Sequence, residues 1–150
     1  MRSRGGTHDV YNLEVEYDHV FHVTEQGVLG HNTTRCAKTG VDIKLKRPDG
    51  VSDEAWQKKL DALNNAAAQG KARVVHNPVR NGSAQRQARR EGRIAPGDDA
   101  DHALDLQFGG ADDASNIMST DRRVNRSVGG QGRQRMQHAD GTPINRFTEE

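Results

Sequence analysis

Two adjacent glycines, Gly109 and Gly110, interrupt a polar stretch that reads DHALDLQFGGADDASNIMSTDRRVN from Asp101 to Asn125. A Gly-Gly turn lets the strand after it return across the strand before it. The apolar residues that can hold such a return are few: Leu104, Leu106 and Phe108 before the turn, Ile117 and Val124 after it. The polar residues are placed with more regularity. An Asp-His pair stands at 101–102, Gly-Gly begins seven residues after the histidine, Asn116 follows fourteen after it and Asn125 nine further on. Arginines crowd the end of the stretch, at Arg122, Arg123 and Arg126.

Hydrolysis of a phosphodiester needs an activated water, a cation to absorb charge at phosphorus, and stabilisation of the leaving oxygen. A single histidine deprotonates water near neutral pH because its unperturbed pKa is about 6.5. One hard divalent ion with open positions serves the other two needs. Adjacent strand residues point to opposite faces, so Asp101 and His102 reach one ion together only where the strand bends. An amide on the returning strand is placed to fix the histidine, and an oxygen ligand at the start of the next helix would close the metal site.

The motif Asp-His, Gly-Gly, Asn and a final Asn on the helix resembles that of the HNH endonucleases of the His-Me finger (ββα-metal) class. The resemblance implies His102 as general base, Asn116 as the residue that orients it, and Asp101 and Asn125 as ligands of a divalent metal ion. With oxygen donors only, that ion is expected to be Mg²⁺. Two departures stand out. Asp105 occupies a place where the family often has proline, and Asp121 and Val124 stand where many members carry zinc-binding cysteines, so this finger has to be held by packing.

Around this stretch the expected fold class is α+β, a small ββα unit with additional helices preceded by a short β-meander. Hydrophobic residues make up 32% of the chain and charged ones 29%, which allows one modest domain with a thin core. Residues 10–32 show strand chemistry, and 33–50 read as a linker with LKRPDG as a turn. Ser52 is expected to cap a helix with Asp53 and Glu54 in its first turn, whose Trp56, Leu60, Leu63 and Ala67 face the core and whose end is Gly70. Ser83 is expected to cap a short basic helix from Ala84 to Glu91. A third helix is expected from Ser119, its continuation opposed by Gly129, Gly130 and Gly132. The resulting map is 1–32, 33–50 as linker, 51–137 as the nuclease-like domain, and 138–150 as a loosely ordered tail.

A net charge of +1 hides an asymmetry, because residues 1–32 carry −3 and residues 33–150 carry +4. Lys71 to Arg93 holds seven basic residues against Glu91 alone, and Arg122 to Arg135 holds five arginines and no acid. Such blocks suit phosphate, so Arg89 and Arg90 join Arg122, Arg123 and Arg126 as expected phosphate contacts. Without exposed aromatic platforms the expected partner is DNA, gripped by its phosphates with little sequence preference. Cys36 is single, which excludes an internal disulfide framework, and no apolar run approaches the ~18 residues of a membrane span.

The front of the chain, VYNLEV through GVLGHN, resembles the last strands of Hint (hedgehog/intein) domains. His31, Asn32 and Thr33 then match the cleavage junction, where an asparagine amide attacks its own carbonyl. The front half of that family, with its nucleophilic cysteine, is not represented. A Hint remnant followed by a basic HNH-like unit resembles the end of a bacterial polymorphic toxin. That implies secretion as part of a larger protein, action in the cytoplasm of a target cell, and an acidic immunity protein as partner. A non-catalytic nucleic-acid-binding module, an RNase toxin of the same fold and a self-processing module are the alternatives.

Overall fold

The computed structural model describes residues 20–22, 29–31, 40–135 and 137–150. The chain divides into two units, Met1–Ala37 and Lys38–Glu150. In the first, β1 (Val20–His22) pairs antiparallel with β2 (Leu29–His31), with Val20 opposite His31. The remainder of the expected meander, and Asn32 and Thr33 of the junction, lie outside the described residues.

The second unit is α+β. Its elements are β3 (Val41–Leu45), α1 (Asp53–Ala68), α2 (Ser83–Arg90), β4 (Asp98–His102), β5 (Ile117–Asp121), α3 (Arg122–Arg135) and β6 (Ile144–Glu149). Two of these strands correct the map drawn from sequence. β3 lies in the supposed linker and β6 in the supposed loose tail, yet they pair in parallel, Ile43 beside Phe147. Ile43, Leu45, Ile144 and Phe147 are all buried. Parallel neighbours need a long crossover, and here the rest of the domain supplies it. Each strand is too short and too charged to declare itself locally.

Helix α1 begins as expected, with Ser52 Oγ accepting from Ala55 N at 3.2 Å and acids in the first turn. Trp56, Leu63 and Ala67 are buried, and so is Lys59, one turn from Trp56 on the same face. Phe108 packs edge-on against Phe147, their ring centres 4.9 Å apart. Helix α2 differs from expectation at its start. Gly82 occupies the cap position at φ 70° with no side-chain cap bond, and the Ser83 hydroxyl instead donates to Asn81 Oδ1 at 2.6 Å.

Helix α3 starts three residues later than expected because 117–121 is drawn into the hairpin with β4. Asp121 caps it, Oδ1 accepting from Arg123 N at 2.8 Å and Val124 N at 3.1 Å. The glycines do not stop the helix. Gly132 is buried where a Cβ would stand 3.1 Å from Phe108 Cζ and 2.7 Å from Gln107 Oε1, so close packing onto the 106–108 turn repays the weak propensity. Val124 and Val128, one turn apart, are fully buried beneath it.

Candidate nucleic-acid site

β4 and β5 form an antiparallel hairpin, Asp98 opposite Asp121 and His102 opposite Ile117, and α3 follows without a break. This is the β-β-α order expected from the sequence. The loop joining the strands is closed by one side chain. Asn116 Oδ1 accepts from Leu104 N at 3.0 Å, while its Nδ2 donates to Leu104 O at 2.9 Å and Ala111 O at 2.8 Å. Gly110 lies so close to this clamp that a Cβ on it would stand 1.8 Å from Leu104 O. The expected role of Asn116 thus takes a different form. Its side chain bonds to backbone at 104 and 111 rather than to the ring of His102.

His102 is 1% exposed. Its Nε2 lies 3.0 Å from Asp112 Oδ1, and Asp112 Oδ2 accepts from Asn81 N at 2.7 Å. A proton on Nε2 lets the ring donate to the carboxylate, which leaves Nδ1 as the basic atom. Gln85 of α2 covers the ring, its Nε2 3.3 and 3.4 Å from the two ring nitrogens, too long to satisfy either well. Neither Asp112 nor Gln85 stood out in the sequence, since each reaches the histidine from a separate segment.

The Asn81 backbone N–H, and after it His102, hold the Asp112 carboxyl below its ordinary range. A lowered carboxylate contributes stability above its unfolded pKa and loses it as pH falls through the folded value. Wild type is accordingly expected to exceed Asp112→Asn by roughly 1 kcal/mol at neutral pH. Urea melts should show that difference shrinking as pH drops below about 4.

Asp101 faces away from the imidazole, as alternation along β4 requires. Its Oδ2 accepts from Lys59 Nζ at 2.7 Å, and the same ammonium donates to the His102 carbonyl at 2.6 Å. Asp105 Oδ2 is 2.8 Å from that nitrogen, an ion pair by distance but outside hydrogen-bond directions. All three side chains are buried. Burial works against the Lys59 charge, yet Asp105 and Asp101 outweigh it and raise its pKa. Burial, and then repulsion from Asp105, pushes the Asp101 carboxyl up despite Lys59. The cluster holds two carboxylates for one ammonium, so Lys59 stays charged and Asp101 is the group whose ionisation is opposed. A charged residue on the buried stripe of α1 was the visible signal for Lys59.

Asn125 is on the first turn of α3, its Nδ2 donating to Asp99 Oδ2 at 3.0 Å. Arg122 Nε reaches the other Asp99 oxygen at 3.4 Å. Asn125 and Arg126 line an open cleft of about 660 Å³ together with Arg80, Asp105 and Gln107. Arg122, Arg123, Arg126, Arg89 and Arg90 are all exposed. Arg126 is the one of these five that lines the cleft with Arg80, which the sequence marks only as one of the seven basic residues from Lys71 to Arg93. His76 is tied to the 138–140 segment, its Nε2 2.7 Å from His138 O.

The expected metal pair does not fit this arrangement. Asp101 is neutralised by a buried ammonium and Asn125 turns its amide nitrogen to Asp99. Among the described residues, no group of three or more His, Cys, Asp or Glu is gathered to hold a metal ion, and no helix is long and apolar enough to cross a membrane. No protein-family model, curated protein or solved structure matches this chain.

Proposed function

We propose that residues 40–150 form a nuclease that cuts nucleic-acid phosphodiesters, with duplex DNA as the first substrate, and that it is the toxin module of a larger secreted bacterial protein. The observation that carries the reading is a buried imidazole, His102, paired with the partly exposed carboxylate of Asp112 at the end of the first strand of a β-β-α unit. Basic side chains supply the binding. Arg80 and Arg126 line an open cleft of about 660 Å³, and Arg86, Arg89 and Arg90 present an exposed cationic face on α2. The same face suits an acidic immunity protein.

In this reading His102 Nδ1 takes the proton of a water as its oxygen bonds to phosphorus. The phosphorus–oxygen bond to the leaving sugar breaks, and an arginine of the cleft stabilises the departing oxygen. RNA is the second reading, favoured by Lys59 standing on Asp101. With its 2′-hydroxyl as nucleophile, RNA needs no metal-activated water. His102→Ala is expected to lower cleavage of plasmid DNA or RNA by about 10²–10⁴-fold while gel-shift binding is retained. Undiminished cleavage by that variant would return the chain to the class of non-catalytic nucleic-acid binders.

A further inference from the structure

The Lys59 ammonium is surrounded by oxygen alone: Asp101 Oδ2 at 2.7 Å, Asp105 Oδ2 at 2.8 Å and the His102 carbonyl at 2.6 Å. Two carboxylates and a carbonyl are a donor set that a hard divalent ion accepts. Here the position is filled by a covalently attached cation that is 1% exposed. We infer that Lys59 is the resident cation of this site, held on Asp101, one of the two residues to which the resemblance assigns a metal ion, and that the chain neither binds nor needs a divalent ion there.

A divalent ion entering the cluster would have to expel the ammonium from a buried position with no other acidic partner described for it. Stranding a buried charge in that way is among the costliest changes a core can undergo. The tethered cation also has a positional consequence. By holding the His102 carbonyl it fixes the end of β4, and by holding Asp105 it fixes one wall of the arginine cleft. Lys59 is thus a positioning residue for the imidazole and the cleft. For catalysis the inference rests on the nuclease reading; for cation binding it stands alone.

The test has three arms on the full chain. Thermal melts and titration calorimetry of wild type with MgCl₂, MnCl₂ or CaCl₂ are expected to show no binding heat and no rise in Tm. Cleavage of plasmid DNA and of RNA is expected to proceed equally with and without EDTA. Lys59→Ser, which opens the oxygen cage, is expected to melt lower than wild type and to regain several degrees with Mn²⁺ by ligand linkage. That gain should vanish when Asp101→Asn is added. A wild-type Tm that rises with Mg²⁺ or Mn²⁺ and loses the rise in Asp101→Asn overturns the inference, as does cleavage abolished by EDTA and restored by Mg²⁺. Absence of cleavage under every condition sinks the nuclease reading instead, and the wild-type melts still decide the cation even where Lys59→Ser does not fold.

Discussion

Lys59→Met is expected to destabilise the domain by about 3–5 kcal/mol, the usual consequence of removing one partner from a buried ion cluster. Methionine fills much of the lysine stem's volume, so the loss reports charge rather than a cavity. It leaves Asp101 and Asp105 facing each other, 4% and 8% exposed, with no counter-charge between them. Urea unfolding at neutral pH measures the change. The variant should recover part of the loss in mild acid, because protonating a carboxyl whose folded pKa lies above its unfolded value adds stability as pH falls. A Lys59→Met protein with the wild-type urea midpoint at neutral pH would mean that the cluster is not intact in solution.

Gly110→Ala is expected to cost about 3 kcal/mol, the upper end for overpacking. The obstacle is backbone rather than a flexible side chain. The new Cβ would stand 1.8 Å from Leu104 O and 2.7 Å from Asn116 Nδ2, so the hairpin loop has to open and the Asn116 clamp has to break. Because the same loop holds the chain beside His102, the proposed cleavage should fall together with stability. Gly92 makes the control, since a Cβ there meets nothing within 4 Å. Its φ of 67° favours glycine, and Gly92→Ala should cost only about 1 kcal/mol. A Gly110→Ala protein as stable as Gly92→Ala would contradict the close approach described for the loop.

Local chemistry was legible in the sequence where it was self-contained. Ser52 with Asp53 and Glu54 announced α1, and the apolar spacing from Trp56 to Ala67 announced its buried face. Gly109–Gly110 announced the hairpin loop, whereas Asn116, expected to orient His102, closes that loop instead. What escaped depends on partners distant along the chain. The parallel pairing of 41–45 with 144–149 leaves only short alternations in either segment. The His102 partners come from residues 85 and 112. The assignment of Asp101 to a metal ignored Lys59, 42 residues earlier, because a lysine on the buried stripe of α1 signals a buried charge without naming its acid partners. The later start of α3 has a similar cause: pairing with β4 outweighs the helix propensity of 119–121.

The β3–β6 pairing has a consequence for synthesis. Ile144 and Phe147 complete the hydrophobic interior that Ile43 and Leu45 begin, so a nascent chain halted after Arg126 but before residue 144 carries both arginines of the cleft yet lacks the strand against which its interior closes. Contacts so widely separated along the chain make folding slow. Such a chain would leave the ribosome with its basic surface fully made and its architecture still open, an interval in which a binding partner present in the same cell meets the unit before it has closed.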